Sequence, residues 1–373
     1  MVTSGRPRVR QWGLPIGELR PGRQNGIIDV AGVCVGHTTL VSGEGPLRPG
    51  CGPVRTGVTV ILPHGDDLFR HKVSAAVHTI NGYGKPCGFE QVRELGVIEA
   101  PIALTNTLNV PLVADGLIQY SVRRNPDIGV SVPSVNVVVG ETNDGYLNDL
   151  QGRHVRAEHV WRAIEGASCA GVAEGAVGAG TGTTCFGWKG GIGTASRVLP
   201  EEGGGFHVGA LVQTNFGRAD QLTISGVPVG RLLESDVSGG PPGPGGGSVM
   251  IVLATDAPLS SRQLHRLCKR APVGLARTGA LHDHGSGDFV VAFSTACHTG
   301  QDPPALLARR VALVDEERAM FWLFPAVVEC VEEAVLNSLW RAETVVGRDG
   351  NTRLALPLER VADVVRARRV GSE

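Results

Sequence analysis

Glycine, proline and serine fill residues 238–247, Ser238-Gly-Gly-Pro-Pro-Gly-Pro-Gly-Gly-Gly247, and the run leads straight into Ser248 and the apolar stretch Val249-Met-Ile-Val-Leu-Ala254. Proline has no N–H for a helix or a sheet ladder, and glycine loses the most backbone entropy on ordering, so no regular element crosses this run. Ser248 must therefore begin a new element. The β-branched residues after it predict a strand that opens on a hydroxyl.

Such a junction is chemically suited to self-cleavage. A serine hydroxyl can attack the carbonyl that precedes it, giving an ester that water hydrolyses, and Gly247 has no side chain to shield that carbonyl. The product would carry both Oγ and a free α-amine on Ser248, and an α-amine of pKa about 7.7–8.0 can act as a base near neutral pH. Composition by itself favours the plainer reading, a linker or loop.

At 373 residues, with 42% hydrophobic and 19% charged residues, the chain can bury a substantial core as one large domain or two. A formal net charge of -1 and the lack of long Lys/Arg runs give no electrostatic reason to expect nucleic acid or an anionic membrane. The expected ligand is small or peptidic. The eight cysteines form no C-x-x-C pair and are expected to be buried, reduced and hydrophobic in role. Residues 1–10 are basic with no apolar segment after them, and no apolar run approaches spanning length, so a cytoplasmic location is the default.

Short β-branched runs predict strands over Ile27 to Val35, Val58 to Leu62, Ser134 to Val139, Val208 to Thr214, Val249 to Ala254 and Phe289 to Phe293. Several are apolar on both faces and call for helical cover. Helices are expected over Val110 to Arg124, Ala157 to Glu174, Ser260 to Ala271 and Glu316 to Ala342. The third opens on the capping-box pattern Ser260-Ser-Arg-Gln263, and Pro325 should kink or divide the fourth.

Three further clusters compete for a functional role. The segment Gly178 to Gly191 is glycine-rich like a phosphate-binding loop, but Trp188 displaces the lysine by one position and Gly190 stands where a hydroxyl residue would hold magnesium, so tight turning is the better reading. His282-Asp-His284 has the H-x-H spacing of some metal sites yet falls short of three or four ligands, and the trio His64, His71 and His78 is as weak. Gly285-Ser-Gly-Asp288 precedes an apolar strand, so Ser286 and Asp288 should point the same way, as a proton relay or as an ordinary turn.

Six segments in order carry a family resemblance: Gly26 to His37, Glu94 to Thr107, Lys189 to Arg197, Leu211 to Gly217, Gly247-Ser248 and Gly285 to Asp288. Along nearly its whole length the chain resembles the L-aminopeptidase/D-alanine esterase-amidase family and the related β-peptidyl aminopeptidases. The resemblance implies an α+β fold, a four-layer αββα sandwich similar to N-terminal nucleophile hydrolases but with different connectivity. It implies one autoprocessed hydrolase over 1–373, cut between Gly247 and Ser248 into an α chain, 1–247, and a β chain, 248–373, that stay associated.

Carried over residue by residue, the resemblance makes Ser248 the nucleophile and gives Ser286 and Asp288 a part in proton movement. Some members have Glu at the latter place, which puts the reach of the shorter Asp288 in question. Asn215 matches the residue that stabilises the oxyanion, Tyr146 is a hydrogen-bond donor close by, and Glu141 is the candidate anchor for the substrate ammonium, its alternative being an exposed loop carboxylate. The implied activity is that of a serine aminopeptidase or amidase on small peptide, amide or ester substrates, without cofactor or metal, in a homo-oligomer, a tetramer of αβ units. Specificity for L-, D- or β-amino acids stays open. An unprocessed, noncatalytic homologue acting as a binding protein is the alternative from a different class.

Overall fold

The computed structural model describes residues 5–233 and 247–370, so the Gly/Pro run 238–246 lies outside the described residues. In chain order the strands are β1 (Cys34–Ser42), β2 (Val54–Leu62), β3 (His71–Gly82), β4 (Val97–Ile98), β5 (Ile102–Asn106), β6 (Val138–Thr142), the short pair β7 (Thr184–Cys185) and β8 (Trp188–Lys189), then β9 (Ile192–Val198), β10 (His207–Asn215), β11 (Ser248–Thr255) and β12 (Gly287–Gly300). The helices are α1 (Phe89–Leu95), α2 (Val110–Arg124), α3 (Ala157–Glu165), α4 (Val229–Leu232), α5 (Ser261–Cys268), α6 (Ala271–Arg277), α7 (Glu316–Trp340) and α8 (Leu358–Val370).

Among the described residues two large sheets form, one ordered β1-β2-β5-β6 and the other β4-β3-β12-β11-β10-β9, beside two two-stranded ribbons. Each contains one parallel pair, and each parallel pair needs a crossover: α2 lies between β5 and β6, and α5 with α6 between β11 and β12. Those crossover helices become the outer layers. Val113 and Leu117 of α2 and Val160 and Ala163 of α3 pack on Val58, Val60, Ala103 and Val139 of the first sheet. On the far side Leu264, Leu275, Val327 and Val331 pack on Val249, Ile251, Leu253 and Val290 of the second. Between the sheets Ile61, Ile102, Leu104 and Val138 meet Leu211, Met250, Val252 and Val291. The αββα sandwich is the outcome of these three apolar seams.

The long helix α7 comes very close to β9 because Gly193 has no side chain: a Cβ there would sit 1.9 Å from the Ala334 carbonyl oxygen. Arg197 of β9, fully buried, forms ion pairs of 2.7 Å with both Glu329 and Glu333 of α7. With this double anchorage α7 runs through Pro325 as one helix, so of the kink or division that the sequence predicts the division does not occur. Tertiary packing outweighs the one missing backbone bond.

Other expectations are corrected as well. The segment from Ile27 opens as a 3-10 turn, Ile27–Asp29, and the strand begins only at Cys34. The strand expected from Ser134 starts at Val138, and the helix expected to reach Glu174 ends at Glu165, with Gly166 as its cap. The Ser260/Gln263 capping box forms as read, the Ser260 N–H donating to Gln263 Oε1 at 2.9 Å. The cysteines are not uniformly buried and reduced: Cys34 and Cys169 are joined in a disulfide, Cys51 is exposed, and Cys185, Cys268 and Cys330 are the buried ones. Burial pushes the Cys185 and Cys330 thiols up to about 12. Thiol titration of the unfolded protein should therefore count six reactive thiols before reduction and all eight after it.

Candidate active site

Register places the site. Ser248, first residue of β11, stands opposite Asn215 at the end of β10 and opposite Gly287 at the start of β12. Along β11 Met250 and Val252 face the seam between the sheets while Val249 and Ile251 face the helices, so the period of two turns Ser248 toward the seam. There Ser248 Oγ accepts a hydrogen bond from the backbone N–H of Asn143, just beyond β6, at 3.2 Å and another from Asn215 Nδ2, also at 3.2 Å. Two donors from different sheets thus converge on one buried hydroxyl. N–H groups fixed beside a nucleophile are what stabilises negative oxygen in acyl transfer.

The glycine-rich segment fixes one of those donors. The Thr184 N–H donates to Asn215 Oδ1 at 3.1 Å, which turns the Nδ2 group toward Ser248. Lys189, fully buried, ties the segment together by donating to the carbonyls of Gly180, Thr183 and Gly190 at 2.9, 2.8 and 2.6 Å. A lysine committed inward to three carbonyls is no phosphate ligand, and burial brings its pKa down to about 7. These bonds are the physical content of the tight turning that the sequence predicts beside a site.

Ser286 and Asp288 do point the same way, but not into the seam. Asp288 shares the parity of Val290 and faces the helix layer, where its Oδ1 accepts from Ser286 Oγ at 2.6 Å. The shorter carboxylate therefore reaches its serine. Both are buried, at 1% and 2% exposure. A Cβ placed on Gly247 would lie 2.9 Å from Ser286 Oγ, so the pair stands beside the peptide unit that precedes Ser248 rather than beside Ser248 Oγ. The second oxygen of Asp288 accepts from His282 Nδ1 at 2.8 Å. The metal reading of His282 gains nothing here, for no cluster of three or more potential ligands occurs among the described residues. Asn81 of β3 clamps the loop, its Nδ2 donating to the carbonyls of Asp283, His284 and Ser286.

Glu141 is a strand residue, 3% exposed, which removes the exposed-loop alternative. Its oxygens accept from the Lys85 N–H at 3.0 Å and Thr107 Oγ1 at 2.5 Å, and it forms no ion pair with any described residue. Beyond Gly84 and Phe289, which crowd the same turn, opens a groove of about 670 Å³ lined by Cys87, Phe89, Ile118 and Val137. The Arg353 guanidinium stacks 3.9 Å from the Tyr146 ring centre, and no hydrogen bond joins the Tyr146 hydroxyl to a described residue. The Asn143 N–H is not singled out by the sequence, since a backbone donor has no side-chain signature, although it lies inside the Glu141 to Tyr146 segment.

The chain is similar to the beta-peptidyl aminopeptidase BapA of Sphingosinicella microcystinivorans, 41% identical over 363 residues that span 94% of this chain and 90% of that one. Among solved structures it is similar to the PH0078 protein from Pyrococcus horikoshii OT3, with TM-score 0.91 and 50% identity over 97% of this chain and 99% of that one. It is also similar to the L-aminopeptidase D-Ala-esterase/amidase of Ochrobactrum anthropi, described as a prototype of the serine aminopeptidases and a variant of the Ntn hydrolase fold, with TM-score 0.86 and 37% identity over 97% and 99%. Sandwich and site together define a serine aminopeptidase of the Ntn-hydrolase type. The chain belongs to Peptidase family S58, whose profile matches residues 25–353.

The buried lysine offers a direct check on how Asn215 is held. Lys189→Met keeps the volume but removes a donor from three carbonyls, of which Gly180 keeps Thr183 Oγ1 at 3.2 Å, and unsatisfied buried groups cost about 1–3 kcal/mol each. Urea unfolding should show a loss of at least about 2 kcal/mol. An unchanged midpoint would mean the segment is held by its turns alone.

Proposed function

We propose that the chain is made as a precursor, cuts itself between Gly247 and Ser248, and then hydrolyses N-terminal residues from small peptides, amides or esters through an acyl-enzyme. The observation that carries this reading is the split environment of the Gly247–Ser248 junction: Ser248 Oγ meets two N–H donors on one side of the sheet, and Gly247 has Ser286 Oγ, itself bonded to Asp288, close by on the other. In processing, Ser248 Oγ attacks the Gly247 carbonyl, the C–N bond gives way to an ester, and water releases Gly247 as a carboxylate. The freed α-amine of Ser248 then lies beside Ser286.

In turnover Ser248 Oγ attacks the substrate carbonyl and its own amine takes the proton, assisted by Ser286, which Asp288 orients. Asn215 Nδ2 and the Asn143 N–H hold the oxyanion, and Tyr146, with an uncommitted hydroxyl, adds a donor from the same loop. The proton passes to the departing amine, and water opens the acyl-enzyme. Glu141 anchors the substrate ammonium: a buried carboxylate with two hydrogen-bond donors and no cation beside it among the described residues is set up to receive one.

The α and β chains remain together because β11 and β12 lie between β3 and β10 in one sheet. Assembly into a homo-oligomer, a tetramer of αβ units, draws support from Leu306, Leu307, Val311 and Val314, all exposed in the segment before α7. No helix among the described residues is long and apolar enough to cross a membrane. A cytoplasmic site of action completes the proposal, with the Cys34–Cys169 disulfide the one observation that weighs against it. β-Peptidyl specificity is a second reading, favoured by the BapA relative and its near match in Sphingosinicella xenopeptidilytica.

Intact mass should give two fragments meeting at 247/248, with Ser248→Ala left whole and inactive and Asn215→Ala processed slowly, with kcat down about 10²- to 10³-fold. A full-length chain that hydrolyses peptides at the wild-type rate would refute the mechanism. A panel of p-nitroanilides of L-, D- and β-amino acids should show one class turned over at least about tenfold faster, one missing methylene in a pocket being worth that much. Preference for the β class would select the second reading.

A further inference from the structure

The Ser286–Asp288 pair does not end at the carboxylate. His282 reaches it from the loop after α6, with Nδ1 on Asp288 Oδ2 at 2.8 Å. With Asp288 ionised and accepting from Ser286, the shared proton belongs to His282 Nδ1, which leaves Nε2 as a bare acceptor. That Nε2 is buried and has no partner among the described residues. Gln221 presents the complementary orphan. Its Oε1 accepts from the Arg218 N–H at 2.8 Å, so its Nε2 donors turn away, and they too are buried without a partner among the described residues.

Both side chains line one small pocket of about 10 Å³ beside Gly247, walled by Phe216, Leu275 and Ala280 and rimmed by the exposed Leu281 and Asp283. That is room for about one water, and an unpartnered donor and an unpartnered acceptor on two residues lining the same pocket give such a water what it needs. The backbone points the same way. His282 has φ 54°, a left-handed conformation rare for a residue with a side chain, and such strain persists where the side chain must be in one place. The turn carrying Gln221 is tied to the end of α6 through the Thr223 N–H, which donates to the Thr278 carbonyl at 2.9 Å.

We propose that His282 is a positioning residue for this reaction: it fixes the Asp288 carboxylate toward Ser286 and joins it, through a buried water bridged to Gln221, in a relay beneath the Gly247–Ser248 peptide. The inference rests on the function proposed above. In this relay Ser286 donates its hydroxyl proton to Asp288 and so keeps its lone pairs toward the Ser248 nitrogen, steadying the ammonium formed when that amine takes the proton of Oγ. No proton leaves the relay. Its contribution is orientation, which lowers the barrier without altering how substrate is bound. The only other acid or base of the loop lining the cavity is Asp283, which holds the turn by accepting the Ser286 N–H through its carbonyl at 2.8 Å.

The test compares His282→Ala, His282→Asn and Gln221→Leu on cleaved enzyme with the best p-nitroanilide of the panel. His282→Ala should lower kcat about 10- to 100-fold, the range for losing a hydrogen bond to a charged group, with KM within about twofold. His282→Asn, whose amide N–H replaces Nδ1, should recover most of that loss, and Gln221→Leu should lower kcat about threefold. A histidine that merely fills the loop would be replaced by Asn and Ala with equal effect. Wild-type kcat in His282→Ala, or Asn no better than Ala, overturns the inference while the proposed function stands; wild-type protein that neither cleaves nor hydrolyses overturns the function itself. If His282→Ala does not fold, the pair His282→Asn and Gln221→Leu decides: Asn losing more activity than Gln221→Leu by about tenfold or more sinks the relay.

Discussion

Everything at the site depends on the register of one strand. β11 is hydrogen-bonded to β10 on one side and β12 on the other, and its first residue faces Asn215 and Gly287. A slip of one residue would turn Ser248 to the helix side and Met250 out of the inter-sheet seam, so the same apolar alternation that builds the two cores fixes the hydroxyl. Because β12 is parallel to β11, the starts of both strands lie at one end of the sheet, and the end of the antiparallel β10 joins them. Three strand termini therefore deliver the nucleophile, the side-chain donor and the acid–serine pair without a long loop having to be ordered.

Burial supplies the electrostatics. Asp288, Glu141 and Lys189 are each removed from water, and each is met by a specific set of partners: a hydroxyl and an imidazole, an N–H and a hydroxyl, three carbonyls. Asp144 is a fourth case, its carboxyl pushed up to about 7 by burial despite bonds from Thr56 and Asn148. Such groups keep fixed directions because any other orientation would leave them unpaired in a medium of low dielectric. The precision of the site is in that sense a property of its surroundings.

The sequence made some of this legible and hid the rest for physical reasons. Strong local signals carried through: α2 spans the residues its pattern marked, the Ser260 box starts α5, and the Val249 run is a strand opening on Ser248. The pattern before the Phe289 run marked Ser286 and Asp288, the family motifs added Asn215, and the structure brings all three to the same strand ends. What failed depended on distant neighbours. The twelve residues of β3 mix histidine, lysine and serine with apolar positions and are held as a strand by β12. Pro325 stays helical because α7 is anchored to β9, and the pairing of Cys34 with Cys169 joins residues 135 apart. Neither the Asn143 N–H nor the face on which Ser286 stands could be read from residue types, since one is backbone and the other needs the register.

The interleaving of β11 and β12 between β3 and β10 has a consequence for how such a molecule fails. If the backbone is interrupted at 247/248, the two pieces hold each other by backbone ladders on both flanks of the inserted pair, not by a surface patch. Neither piece contains the whole six-stranded sheet, so neither can rebuild it alone. Reassembly after unfolding becomes a bimolecular search for a threaded arrangement that the intact chain once found within itself. Durability then resides in the height of the unfolding barrier rather than in an equilibrium, and each turn of the sheet opened by heat is one the protein has little means of closing again.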